Sequence, residues 1–188
     1  MAAVAAALDD DVWMSGDLTL RAFTEADLGF LERLDTDPEA LGAFERVGLW
    51  DARARRRRWE RDGWVGAEST AVAVVLADGT VAGVASWRAQ DRGGPPGGCY
   101  EIGLALLPEH PGRGLGTAAQ RLLVGHLFGT TIANRLEATT DADNIAEQKA
   151  LERVGFTREG VLRGAVFRAG AWRDLVLYGL VRERWGSG

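Results

Sequence analysis

EIGLALLPEHPGRGLGTAAQ, residues 101–120, decides how the chain is put together. Its first half continues Cys99 and Tyr100 as an apolar run broken only by Glu101 and Gly103, and reads as a strand over 99–107 buried on both faces. Its second half opens a helix over about 115–128, with Leu115, Ala119, Leu122 and Leu123 on one face. Between the two, PGRGLGT (111–117) sets glycines at 112, 114 and 116. Such a turn presents backbone N–H groups in front of a helix N-terminus, where partial positive charge suits a phosphate or pyrophosphate. Glycine lets a ligand approach the backbone closely. On spacing alone the segment is an anion-binding turn or simply a tight strand-to-helix turn. It has no G-K-[ST] and no G-x-G-x-x-G with an acidic residue some twenty positions later, so it is neither a Walker loop nor a dinucleotide fingerprint.

Downstream, the pattern predicts a strand at Arg135–Thr139, a helix at Ile145–Val154 and strands over about 160–168 and 172–181. Strand, helix and strand at that spacing make a right-handed crossover between parallel strands. Upstream, LTLRAF (18–23) alternates like a half-buried strand. Thr24 and Asp27 then form a capping-box-like start for a helix carrying Leu28, Leu31 and Leu34, which ends before Pro38. Residues 70–76 and 80–88 read as a hairpin turned by Asp78-Gly79, and 91–98 as a flexible loop. Residues 39–68 scatter Phe44, Trp50, Trp59 and Trp64 among charges. The run Arg55–Arg58 sits in a helix there, as a solvated face or as a patch that meets substrate or RNA.

Bulk properties narrow the classes. A chain of 188 residues, 46% hydrophobic and 26% charged, is expected to be one globular domain over 16–186 behind a flexible tail, 1–15. A formal charge of −5 makes nucleic acid an unlikely partner unless a local patch recruits it. The single cysteine, Cys99, excludes an internal disulfide and a cysteine-rich zinc site and fits a reducing, cytoplasmic setting. His110 and His126 have no third ligand in sight, so no metal is expected. No 18-residue apolar stretch suggests a membrane span, and the N-terminus lacks the basic start of a signal peptide.

Together, EIGLALLPEHPGRGLGTAAQ, the later DNIAEQKALERVGF (143–156), the opening LTLRAFTEADL and the hairpin ADGTVAGVASW resemble the GNAT superfamily of acyl-CoA-dependent N-acetyltransferases, in its RimJ/RimL-type branch. The resemblance spans about residues 17–185. It implies an α/β (α+β) fold, with a mixed, mostly antiparallel central sheet, a splayed parallel pair and helices on both faces. It also implies acetyl-CoA as co-substrate, a primary amine of a small metabolite, an antibiotic or a protein N-terminus as acceptor, and dimers as a common state. The family pattern Q/R-x-x-G-x-G/A falls on 111–116, with Pro111 at its first position, where proline removes one N–H donor. Arg113, Gly114, Gly116 and Thr117 are the implied pyrophosphate ligands, and Arg113 or Arg121 could add charge. The backbone of Leu104–Leu107 would pair with the pantetheine arm, with an N–H near Leu106 meeting the oxyanion.

Glu101, a carboxylate in an apolar strand, is the candidate base, unless it lies at an open strand end. Asn144 matches a coenzyme A contact of this branch and also suits a helix cap with Glu147. Glu147 stands where some related enzymes place a serine beside the sulfur, and could serve as an acid only if protonated. Tyr178 is another possible donor or simply core. Trp50, Trp59 and Phe167, with Trp64 and Trp172, could wall an acceptor pocket. Loss of turnover in a protein that keeps the cofactor cleft would make it an acyl-CoA sensor instead. An RNA-associated role through Arg55–Arg58 would show as salt-dependent RNA binding.

Overall fold

The computed structural model describes residues 13–15, 18–37, 39, 40, 42, 44, 51, 53–109 and 114–185. Apolar runs in the middle of the chain, among them STAVAVVL (69–76), bury every residue from Thr70 to Leu76, as a central strand covered on both faces must. Alternation then sorts the side chains. Ala71, Ala73 and Val75 pack with Leu28, Leu31 and Leu34, whereas Val72 and Val74 pack with Leu123, Val124 and Leu127. Full burial of each such leucine contributes roughly 2 kcal/mol.

The described strands are β1 (Trp13–Ser15), β2 (Leu18–Arg21), β3 (Ser69–Leu76), β4 (Val81–Ala89), β5 (Cys99–Leu106), β6 (Arg135–Asp141), β7 (Thr157–Arg168) and β8 (Ala171–Val181). They form one sheet in the order β1-β2-β3-β4-β5-β6-β8-β7. Every neighbouring pair is antiparallel except β5 and β6. Helices α1 (Leu28–Thr36) and α2 (Ala54–Asp62) lie on one face; α3 (Leu115–Thr130) and α4 (Ile145–Val154) lie on the other, and α5 (Arg182–Trp185) follows β8. The expected mixed sheet, parallel pair and two helical layers are all present.

Boundaries moved where side chains redirect the chain. LTLRAF stops being a strand at Arg21, whose guanidinium holds Asp27 at 2.6 and 3.1 Å. Asp27 also accepts from the Thr24 N–H and hydroxyl at 2.8 Å, so a 3-10 turn at Glu25–Asp27 precedes α1. The tail boundary expected at residue 15 falls inside a pairing, because 13–15 align with 18–20 of β2. At the far end of α3, Arg182 donates to the carbonyls of Ala133 at 2.7 Å, Thr131 at 2.8 Å and Phe128, and stacks over the Phe128 ring. A cation there satisfies the orphan carbonyls and the negative end of the helix dipole.

What matters for function is that the parallel pair is short. β5 and β6 are matched only at Cys99–Glu101 with Arg135–Glu137. Beyond that point β5 stays on β4 as far as Leu106 and β6 stays on β8 as far as Asp141, so the sheet opens between them. The closed end is clamped by buried Glu137, which accepts from Arg92 at 3.1 Å and from Arg135 at 2.7 Å, while Arg135 also holds Glu159. Cys99 is buried at this end, and burial pushes its thiol up.

Candidate active site

The opening between β5 and β6 is part of a cleft of about 810 Å³ that reaches both faces of the sheet. Hydrogen bonding along β5 explains what it offers. The Leu107 N–H donates to Ala82 O at 2.8 Å, and Cys99 O accepts from Gln90 at 3.0 Å, so odd-numbered residues of β5 are spent on β4. With the two-residue period of an antiparallel ladder, the N–H and C=O groups of Leu104 and Leu106 point the other way, into the opening. Leu107, expected to share that role, is corrected by this geometry: its amide is used by β4 and its side chain is buried among Leu28, Leu31 and Leu34.

On the α3/α4 side the cleft meets Gln120, Asn144 and Glu147. Asn144 caps α4, its side-chain oxygen accepting from the Glu147 N–H at 3.2 Å, and it lines the cleft as well. The Glu147 carboxylate does not return the capping bond expected of it but takes the Gln120 side-chain amide. Burial pushes the Glu147 carboxyl up to about 7, against the opposing pull of that amide. Gln120 is 2% exposed and its Oε1 has no partner.

The helix N-terminus stands beside this wall. A Cβ on Gly116 would lie 3.8 Å from the side chains of Leu104 and Leu106, so the first turn of α3 sits over the end of β5. Gly114, at φ 70°, is in the left-handed region that glycine accepts without strain, and the N–H groups of Leu115, Gly116 and Thr117 have no intrahelical acceptor. Pro111, Gly112 and Arg113 lie outside the described residues, as do His110 and Trp50. Arg121 donates to Arg153 O at 2.9 Å, which ties it to the end of α4.

On the α1/α2 side are Glu101, Arg88, Ser86, Thr139, Asp141, Arg168, Arg55, Arg58 and Trp64. Glu101 accepts from the Thr139 hydroxyl at 2.9 Å, from the Gln90 amide at 2.8 Å and from Arg88, its cross-strand partner. The strand therefore places its carboxylate in the cleft rather than at a solvated strand end. Asp141 is held by Arg168 in a buried pair. Arg55 and Arg58 stack over the Trp64 ring at 5.5 and 5.4 Å.

Three expected residues are not brought here. Tyr178 is fully buried in the α3/α4 core with its hydroxyl donating to Glu152 at 3.0 Å, and burial pushes its phenol up. Trp59 donates its indole N–H to Phe23 O at 3.1 Å and packs under α1. Phe167 stands 61% exposed against Trp172 at the β7–β8 hairpin. Gln120, Arg88, Thr139 and Asp141 also line the cleft, although no motif in the sequence singles them out. Their roles depend on strand register and helix packing, and only Arg88 opposite Glu101 follows once the β4–β5 register is known.

These surroundings fit an acyl-coenzyme A. A pyrophosphate needs clustered donors, and a pantetheine arm carries two amides that need an open strand edge and a buried acceptor such as Gln120 Oε1. No group of three or more potential metal ligands occurs among the described residues, and no helix there is long and apolar enough to cross a membrane.

Comparison with known proteins agrees. YdaF of Bacillus subtilis (strain 168), provisionally named a ribosomal N-acetyltransferase, is 32% identical over 111 residues, 59% of each chain. The chain spans about half the length of the first curated relatives it matches. Mycobacterium smegmatis RimJ, solved in complex with CoA-disulfide, superposes with a TM-score of 0.72 at 25% identity, covering 91% of this chain and 85% of that one. A spermidine N-acetyltransferase from Vibrio cholerae, solved with CoA and spermine, gives 0.79 at 17% identity over 91% and 99% of the two chains, a likeness of fold alone. The family model described as the acetyltransferase (GNAT) domain matches residues 17–157, three quarters of the chain, and the protein belongs to that family.

Proposed function

We propose that the cleft transfers an acetyl group from acetyl-CoA to a primary amine, on a small metabolite, an antibiotic or a protein N-terminus, by direct attack while both substrates are bound. The observation that carries this is the opening between β5 and β6. It joins a wall of backbone donors and buried polar groups on the α3/α4 side to a separate wall bearing Glu101 on the other. Two substrates can meet through the sheet without a covalent acyl-enzyme, and Cys99, buried at the closed end, is outside the lining of the cleft.

Bound acetyl-CoA supplies the acetyl group as a thioester. The N–H groups of Gly116 and Thr117, with the positive end of the α3 dipole, hold the pyrophosphate. Leu104 and Leu106 pair with the pantetheine amides, Gln120 Oε1 accepts one of their N–H groups, and the Leu106 N–H faces the developing oxyanion. Glu101, fixed by Thr139 and Gln90, orients the acceptor amine and receives its proton. Glu147, whose carboxyl burial pushes up to about 7, is protonated in part of the molecules near neutral pH, and in that form gives a proton to the departing sulfur.

Thiol release from acetyl-CoA with a panel of amines and N-terminal peptides tests the transfer. Glu101→Gln is expected to lower kcat by 10²-fold or more, the usual weight of a general base, with the Kd for acetyl-CoA within about twofold of the parent. A full rate across the pH range would remove Glu101 from proton transfer. Tight acetyl-CoA binding with no turnover of any acceptor would leave a sensor rather than an enzyme.

A further inference from the structure

Strand register brings together residues that lie far apart in the chain. Glu101 is matched with Glu137, Glu137 with Gly179 and Asp141 with Leu175, so the face of the sheet that carries Glu101 also carries the odd-numbered residues of β8. Val166 and Arg168 are matched with Arg173 and Ala171 and therefore stand on that face too. Both line the cleft.

The guanidinium of Arg168 is divided between two partners. Its Nη2 donates to Asp141, and its Nη1 donates to Phe44 O at 3.1 Å. Asp141 is a fixed anchor, buried at the end of β6, with its other carboxylate oxygen accepting from the Asp143 N–H at 2.8 Å. On the opposite side Arg168 holds Phe44 twice, by the carbonyl and by the ring, whose centroid lies 5.4 Å from the guanidinium carbon. Arginine can do both because its N–H groups point outward in the plane while its face is left to stack. A lysine ammonium has no such plane.

Phe44 differs from the rest of its wall. Leu34, Ala40 and Trp64 on the same side of the cleft are buried, and Val166 and Leu175 are half-buried. Phe44 stays 40% exposed, the most open of the described apolar residues in the lining. A ring already held in place offers apolar area that a ligand can cover with little further loss of side-chain freedom. The guanidinium behind it is neutralised by Asp141, so what this part of the wall presents is the ring.

We propose that Phe44 binds the acceptor and that Arg168 is the positioning residue that holds it there, so that the site favours amines bearing an apolar or aromatic group. That group packs on Phe44 while the nitrogen faces Glu101. The proposal rests on the cleft being the acetyl-transfer site described above and adds to it the chemical class of the acceptor.

Thiol release at saturating acetyl-CoA is measured with glycinamide, leucinamide and phenylalaninamide, and with tripeptides that begin with glycine, leucine or phenylalanine. Expected is a kcat/KM at least tenfold higher for the apolar members than for the glycine member in one of the two series. Which series shows it tells a small amine from a peptide N-terminus as the source of the apolar group. Phe44→Ala should raise KM for the apolar acceptors tenfold or more, with KM for the glycine member and the Kd for acetyl-CoA within about twofold of the parent. Arg168→Lys keeps a cation on Asp141, which protects folding, and should produce part of the same rise. Because Arg168 acts through Phe44, the double variant should be no worse than Phe44→Ala alone.

Equal kcat/KM across both series would overturn the apolar acceptor site while leaving acetyl transfer intact. Effects of Phe44→Ala and Arg168→Lys that multiply in full would overturn the positioning role, since Arg168 would then act by another route. Binding of acetyl-CoA with no release on any acceptor would instead overturn the transfer itself, and this proposal with it.

Discussion

Glu147, the acid of the proposed mechanism, sits where its burial also weighs on stability. Its carboxyl is raised from an ordinary 4.5 to about 7 because the wall between α3 and α4 withholds water from it. Below pH 4.5 it is protonated in folded and unfolded chains alike and costs nothing. Between 4.5 and 7 the unfolded chain releases the proton first, so stability must fall as pH rises through that window and level off above it. The full loss corresponds to about 3 kcal/mol, less whatever screening the water in the cleft provides. Glu147→Gln keeps the shape and the Gln120 contact and should remove this slope, so that the variant without ligand melts above the parent at pH 8 and level with it at pH 4. The same substitution should flatten any limb near pH 7 in the rate profile. Parallel melting curves for the two proteins across that range would mean that the carboxyl is not strained by burial. Glu101 could be picked from the sequence because a carboxylate interrupts an apolar strand. Gln120 could not, since a glutamine in the second turn of an amphipathic helix looks solvated until α4 is packed against it.

At the level of elements, α3 is where local and global demands meet. A glycine in the first turn of a helix weakens it, yet a Cβ at Gly116 would make only ordinary contacts, 3.8 Å from Leu104 and Leu106. Packing therefore does not require glycine there, whereas the proposed pyrophosphate site, with its ligand over the end of β5, would. Gly116→Ala is expected to stabilise the helix by up to about 1 kcal/mol while weakening acetyl-CoA binding by at least tenfold, read by melting and by calorimetric titration. Unchanged affinity in the stabilised variant would take the first turn of α3 out of the cofactor site. The elements themselves were largely legible. The spacing of apolar residues and the glycine and aspartate punctuation located α4 at 145–154 and the hairpin turn at Asp78-Gly79. The misplaced ends have local causes that periodicity cannot see, such as the Arg21–Asp27 pair that breaks a strand two residues early. Aromatic residues misled for a related reason. Trp59 and Trp64 stand in similar charged surroundings along the chain, but only packing tells that one donates to Phe23 O under α1 while the other faces the cleft.

Across the whole molecule, the sheet behaves as two antiparallel halves, β1 to β5 and β6 to β8, joined by three matched positions of a parallel pair. Their junction is held by charge as well as by ladder bonds. Glu137, 4% exposed, ties the 91–98 loop through Arg92 to β6, and Arg135 carries the chain of pairs on to Glu159 of β7. Arg92 and Arg135 hold the Glu137 carboxyl below the usual carboxylate range despite its burial. A depressed value gives stability that is present above the unfolded pKa and lost as pH falls through the folded one. Glu137→Gln leaves two guanidiniums without their carboxylate, but Arg92 is half exposed and Arg135 keeps Glu159, so the cost should be about 2 to 3 kcal/mol, toward the lower end for a broken buried pair. That deficit should be full at pH 7 and shrink in acid, as the parent also loses its charge. Because the junction sets where β5 and β6 part, the variant should also bind acetyl-CoA more weakly, and saturating cofactor should recover part of its stability by linkage. Chemical denaturation at pH 7 and in acid, with and without acetyl-CoA, measures both effects. A stability gap that is the same at both pH values would show that Glu137 acts through packing alone and that charge does not hold the two halves together.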